Sequence, residues 1–513
     1  MILTAGKQFF ACIFACLLMI AGFVPQLYGQ QVEQVEIINA NTFEGDESLG
    51  KNVARLTGDV QFRHKGAMMY CDSAYLYQDA NSLDAFGRIK IEQGDSIRLT
   101  GDFLKYDGNT RSARVVGNVV LVDRTMTLTT HEVVYSLSNR VAKYETPGVI
   151  TDKENKLTSN SGYYLTGEKM VFFKDDVVLT NPEYRMESDT LKYNTVSRTA
   201  WFYGPTTITS TGTDSTFMYC ESGWYDTNRN KSSFKKNAFI RSGESSLSGD
   251  SLFFNRNTLV GEAYGNVQLS DTVNQVIVSG DFGRSDDKKK KAFVTGKATL
   301  IKMFTADSLF LHADTLFAAE DTAAKVRTWT ARRNVRFFKP DLQGKCDTLT
   351  YSTSDSMVVM KGVPVLWTDS SQMTAEWVTF QIANQEVSRL YLHQTAFIIS
   401  KEDSVRFNQV KGRTMTGYFT ENKLSSILVE GNGQSVYYTR NSKKQLTGVN
   451  RADCSDMLIL FEENRVSGIT LINQPDATLY PIQELQANEL ILKDFGWSET
   501  ARPKDRQAIY ERH

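Results

Sequence analysis

Carboxylates recur along this chain at a spacing that invites a chemical reading: Asp72, Asp102, Glu132, Asp189, Glu221, Asp250, Asp281, Asp314, Asp347 and Glu376, resuming at Asp456 and Glu489. Paired acids could hydrolyse a glycoside by general acid and base chemistry, and a stack of them could ligate calcium. Against both stands the period. The steps are roughly 28 to 33 residues, with a gap at Ser161 and Gly162, and a residue present in nearly every unit of a repeat serves the unit. Carboxylates stacked on adjacent strands would repel one another if buried, so the column is expected at a structural corner, facing solvent or bonded to turn amides. The histidines (His64, His131, His312, His393 and His513) show no ligand spacing. Gly431-Asn-Gly433 opens no helix and is not a nucleotide loop. The run Lys288 to Lys291 reads as a charged loop. No catalytic residue, metal site or cofactor is expected, and with 58 basic against 59 acidic residues nothing draws the protein to nucleic acid.

The elements that carry the column come from a second one of the same period. It reads Gly58-Asp59-Val60, Gly87-Arg88-Ile89, Gly117-Asn118-Val119, Asp175-Asp176-Val177, Gly265-Asn266-Val267, Gly296-Lys297-Ala298 and Arg333-Asn334-Val335. Apolar residues follow on alternate positions, as in a strand with one face on a core. The Gly-Asn step is turn chemistry, expected to reverse the chain. Around the acids the apolar sites sit at minus three, plus two and plus four, as in Leu99, Asp102, Leu104 and Tyr106. That odd interval requires a bend in mid-strand, for which Gly101 or Gly249 is suited. Helical spacing is almost absent, and only 9 prolines interrupt 513 residues. The fold class expected is therefore all-β: an elongated twisted β-jellyroll or solenoid of stacked ~30-residue repeats, each contacting mainly its neighbours.

Residues 1–29 have the anatomy of a secretory signal peptide: Lys7, an apolar run from Phe9 to Val24, then a polar stretch ending at Gly29. The remaining cysteines are Cys71, Cys220, Cys346 and Cys454, and the first three each directly precede an acid of the column. Units four or five apart at about 4.8 Å each put those three out of disulfide range, which needs Cα atoms within about 7 Å. Free, mostly buried thiols are expected, acting as small apolar filler.

The motifs Leu56-Thr-Gly-Asp-Val60-Gln-Phe, Met69-Tyr-Cys-Asp72-Ser-Ala-Tyr-Leu-Tyr77, Leu99-Thr-Gly-Asp102-Phe-Leu-Lys-Tyr106 and Val116-Gly-Asn-Val119-Val-Leu resemble the OstA-like family. That family is related to the periplasmic lipopolysaccharide-transport protein LptA and to the N-terminal domain of LptD. The resemblance is clearest over about residues 45 to 200 and recurs more loosely to about 370. It implies an open β-jellyroll whose interior carries lipopolysaccharide acyl chains, in a non-enzymatic periplasmic protein, with association at the outer membrane as a further option. The partners implied are lipopolysaccharide or a related lipid, and other LptA/LptD-like jellyrolls joined by edge-strand pairing.

The groove candidates are the alternating apolar residues Val60, Phe62, Ile89, Ile91, Leu99, Leu104, Val119, Leu121, Val177, Leu179, Leu252, Val267 and Leu269. The same residues would equally line a closed, dry core. The expected organisation is a leader over 1–29, an OstA-like N-terminal jellyroll over 30–200, continued repeats over 201–400, irregular C-terminal repeats over 401–497, and a solvated polar tail over 498–513. Two other functions compete with lipid carriage. A secreted scaffold would bind a protein partner along its repeats, using tryptophans such as Trp201, Trp224, Trp329, Trp367, Trp377 and Trp497. A β-helical polysaccharide enzyme would need a charged cluster that breaks the repeat, and none is found.

Overall fold

The computed structural model describes residues 33–511 except 46–49, 95–96, 213–215, 306, 369, 384–385, 421–422, 444, 463–464 and 483–489. The expected leader over 1–29 and the acid Glu489 lie outside the described residues. The chain divides into two units, one reaching Gly148 and including Tyr163–Gly167, the other formed by Val149–Gly162 and Glu168 onward. Both are built almost wholly of strands, and the helical turns Glu499–Ala501 and Ala508–Tyr510 are single turns of 3₁₀ type.

In the first unit the strands Val53–His64, Ala67–Tyr77, Ser82–Gln93, Ile97–Asp107, Ser112–Val122 and Thr127–Ser136 pair antiparallel, each with the next in sequence. The second unit repeats the pattern from Met170–Thr180 to Leu342–Ser352. There Gly362 and Val363 take left-handed angles ahead of Pro364, whose missing N–H ends ladder pairing. The next strand is accordingly split into Met357–Lys361 and Val365–Thr368. The irregular spacing after Glu376 corresponds to longer strands: Glu386–Lys401, Phe407–Thr420, Lys423–Arg440 and Leu446–Glu462 have 16, 14, 18 and 17 residues.

The Gly-Asn step does not reverse the chain. Gly117 (φ 82) and Asn118 (φ 46) lie in the middle of the continuous strand Ser112–Val122. The residues from Val116 to Val120 face the shorter span from Thr100 to Phe103, so the step inserts one extra residue, a bulge that bends the strand. The bend around the acid is real, but its extra residue belongs to the neighbouring strand. The chain reverses elsewhere, for example after Asp107, whose Oδ1 accepts from the amides of Asn109 and Thr110 at 2.9 and 3.2 Å.

The acid column locks these corners. Asn118 donates to Asp102 at 2.7 Å, Asn237 to Glu221 at 2.7 Å, Asn266 to Asp250 at 3.1 Å and Asn334 to Asp314 at 3.0 Å. Arg88 pairs with Asp72, and Arg114 makes a bidentate pair with Glu132. Each carboxylate thus holds the left-handed residue, or an arginine, of an adjacent strand. That is structural work, and it recurs because the corner recurs.

Candidate functional site: an apolar groove in the second unit

Bending each of the long strands at a corner turns its two halves into facing walls with an apolar interior between them. The candidates Val60, Phe62, Ile89, Ile91, Leu99, Leu104, Val119 and Leu121 in the first unit, and Val177 and Leu179 in the second, are all at most 1% exposed. Leu252 and Val267 are also buried, whereas Leu269 is 40% exposed. Most of the candidates therefore lie in a closed, packed interior, and only the last three border open space.

Tyrosines close the interior at the rim opposite the corners. In the first unit Tyr106 shares a hydrogen bond of 2.7 Å with His64, Tyr135 donates to Gln93 at 2.5 Å, and Tyr164 donates to Asp123 at 2.5 Å. In the second, Tyr193 donates to Asp152 at 2.5 Å, and Tyr225 sets its ring edge-on to Tyr184 at 5.0 Å. Each pair joins opposite walls, 41 or 42 residues apart in the chain. The local sequence prepares the acceptors. One oxygen of Asp152 accepts from the amides of Glu154 and Asn155 in its own turn, and the other receives Tyr193. Burial alone would raise the Asp152 pKa, but the bonds from Tyr193 and the turn amides outweigh it and hold the carboxyl below its usual range. Burial pushes the Tyr106 phenol up to about 12.

One cross-strand row shows where the closure ends. Within the second unit it runs Leu157, Leu179, Met186, Ile208, Met218, Ile240, Leu247, Leu269, Val278, Leu300, Leu311 and Phe337, each opposite the next. The row is buried to Ile208, half-buried or exposed from Met218 to Leu300, and buried again at Leu311. Over that window the rim row beyond Tyr225 carries Ser232, Phe254, Gly261, Ser285, Ala292 and Ala318. None of these but Phe254 has the reach of tyrosine, and none carries the phenol, so the walls stay apart. The result is a groove floored by Leu252, Ala263, Val267 and Ala298, which are buried, and walled by half-exposed Leu247, Val278, Val294 and Leu300. Past the window, Trp329 and Tyr351 stack at 5.6 Å on the rim. Sequence reasoning named Leu252, Val267 and Leu269 among its candidates but did not single this stretch out, because the row is apolar throughout. The usable signal was the tyrosine column Tyr106, Tyr135, Tyr164, Tyr193, Tyr225 and its loss at Phe254 and Ser285.

The expected solvated tail is instead a strap over the outward face of the second unit. Alternation settles which face: Ile398 packs in the interior cluster, while its neighbours Phe397 and Ile399 pack with Leu492, Phe495 and Trp497. Gln409 donates to the Leu490 carbonyl at 2.7 Å and accepts from the Leu492 amide at 2.9 Å. Gln372 grips Gly496 and Ser498 in the same way, at 2.6 and 2.7 Å. Arg502 donates to Gln343 at 2.8 Å, and the Tyr510 ring lies 4.9 Å from His312. Polar composition concealed this, because the strap is held by backbone groups and a few apolar anchors such as fully buried Ile509. The tryptophans offered for a scaffold divide accordingly. Trp367 is buried beneath Ala501, Trp377 stacks on His393, and Trp497 packs on Phe407.

Among the described residues no three His, Cys, Asp or Glu side chains are placed to hold a metal ion. The four cysteines are free and buried, in keeping with their distribution over distant units. Burial pushes the Cys71, Cys220 and Cys346 thiols up to about 12. At pH 8 these thiols are expected to resist maleimide in the folded protein and to react only after denaturation; rapid labelling of Cys71 in native protein would contradict the sealed interior.

Fold and site together define an all-β repeat protein whose long strands each turn a corner, with an apolar interior that opens in its second unit. Residues 32–189 match the OstA-like protein family, and residues 277–386 match the family of LptA/(LptD N-terminal domain) LPS transport proteins. The closed interior falls largely in the first match, and the second begins inside the groove. No curated protein matches. Among solved structures, the chain is similar to LptH, the LptA homologous periplasmic component of the conserved lipopolysaccharide transport device from Pseudomonas aeruginosa. The identity is 12%, over 23% of this chain and 93% of that one, with a TM-score of 0.22; so slight a likeness decides nothing here.

Proposed function

We propose that this protein is a non-enzymatic periplasmic component of lipopolysaccharide transport, and that it holds acyl chains of lipopolysaccharide or a related lipid in the groove of its second unit. The observation that carries the reading is the continuous aliphatic row left half-exposed from Met218 to Leu300. Surface of that kind is costly in water unless something covers it. Burying one CH₂ is worth about 0.8 kcal/mol, so an acyl chain of about 12 carbons gains on the order of 10 kcal/mol from shelter. An aliphatic lining resembles the hydrocarbon of a membrane, so movement along it is nearly level in free energy. The family matches support lipopolysaccharide as the chemical class of the cargo. Partners with the same fold would pair with strands at the ends of the units. In the first unit the short strands Glu36–Asn39 and Thr42–Gly45 are exposed throughout and lie against one side of Val53–His64, which suits such pairing.

The test is photo-crosslinking in living cells from a reactive amino acid at Leu269 or Leu300, with Leu104 and Val119 as buried controls. Lipopolysaccharide adducts are expected at the first two positions and absent from the controls. Adducts at none of the four, with the protein folded and exported, would remove the lipid from this reading.

A further inference from the structure

We infer that the rim tyrosines are latches, and that their presence or absence sets where a ligand can enter the interior of the second unit. The argument compares equal positions. Leu179 and Leu269 belong to the same cross-strand row, carry the same side chain and stand beside the same kind of corner. Leu179 is fully buried and Leu269 is 40% exposed. Intrinsic hydrophobicity therefore cannot explain the difference. What differs is the rim. On the Leu179 side, Tyr193 donates to Asp152 at 2.5 Å and accepts from the Asn155 side-chain amide at 3.1 Å. On the Leu269 side the rim row offers Gly261 and Ser285.

The latch is a side-chain device. Leu179 and Tyr193 lie on opposite sides of the corner, and their strands pair with sequence neighbours within each wall, so opening the rim breaks no ladder hydrogen bond. A buried phenol bonded to a carboxylate is a strong restraint, yet it can be undone without unfolding a strand. The lining behind it is chemically the lining of the open groove. Residues behind the latch thus form a reserve stretch of the same apolar interior, closed to ligand while Tyr193 and Asp152 stay joined. That ligand is the acyl chain only if the proposed function holds; the latch itself concerns access.

The two claims separate in one experiment on the full chain. Leu179→Cys and Leu269→Cys are placed singly in the native background and in backgrounds carrying Tyr193→Phe or Asp152→Ala. Thiol labelling with a maleimide is followed under native conditions, with circular dichroism and the slow labelling of native Cys71 and Cys220 as checks on folding. The expected result is fast labelling at position 269 in every background. At position 179 labelling is slow in the native background and accelerates by about tenfold or more when either latch partner is lost, the change that loss of a buried hydrogen bond to a charged group implies. Equal rates at both positions in the native background, or no acceleration at 179 in either variant, would overturn the latch. A fatty acid carrying a terminal diazirine is then photolysed with the same proteins. Labelling that spreads from position 269 to 179 only in the unlatched variants supports both claims. Thiol rates as expected, with no fatty-acid labelling anywhere, would leave the latch standing and defeat the lipid reading.

Discussion

A chain truncated after residue 489 is expected to lose stability in its second unit by on the order of 5 kcal/mol and to bind a hydrophobic dye. The strap covers Phe397, Ile399, Val436, Tyr438 and Val449 with Leu492, Phe495 and Trp497, and covers Val365 and Trp367 with Ala501. Full exposure of a large apolar side chain costs about 1.5–3 kcal/mol. The entropy regained by the freed segment, about 1–2 kcal/mol per residue, returns much of that sum. Removal of the strap also lets water reach Gln343, Gln372 and Gln409, so each lost hydrogen bond there costs only about 0.5–1.5 kcal/mol. Gln372→Ala is harsher for its size. It leaves the strap in place while orphaning the Gly496 carbonyl, the Ser498 amide and the Trp367 indole N–H, which bonds Gln372 at 3.2 Å. At about 1–3 kcal/mol for each buried orphan, that single change is expected to recover much of the effect of truncation. Denaturant melts followed by tryptophan fluorescence would decide it; a truncated protein melting with the full chain would mean that the strap merely rests on the surface.

Gly117→Val is expected to destabilise the first unit by about 3–5 kcal/mol, far more than Gly66→Ala. Gly117 has φ +82, and a Cβ there would lie 2.5 Å from Asp102 Oδ2. The left-handed backbone costs an L-residue about 1–2 kcal/mol. The clash adds to it by pushing Asp102 away from Asn118, breaking the 2.7 Å bond that holds the corner. Gly66 has almost the same angle, φ +81, with nothing within 4 Å of an added Cβ. It therefore isolates the backbone cost at roughly 1 kcal/mol. Equal losses from the two substitutions would show that the acid–asparagine lock contributes little, and that the acid column persists for another reason.

The sequence by itself determined the period, the all-β class and the family resemblance. Alternation and the recurring acids are local properties, and a repeat protein satisfies most of its contacts between neighbours. The free, buried cysteines followed from the same arithmetic. The corner was only half legible. Gly117 and Asn118 announced a left-handed backbone correctly, but local chemistry is the same for a hairpin and a mid-strand bulge. Only pairing with the strands on both sides decided between them.

Tertiary structure alone decided where the interior opens. Leu121, Leu179 and Leu269 are one residue type in one register, and their burial depends on groups that meet them across the walls from some 40 residues away. Asp123 and Asp152 each accept from amides of their own turns and are rim acceptors as well, because folding brings Tyr164 and Tyr193 to them. The C-terminal strap was illegible for the same reason. A segment containing Arg502, Lys504, Asp505 and Arg506 has the composition of a solvated end, and nothing in it reveals that glutamines 81 to 159 residues earlier stand ready to take its backbone.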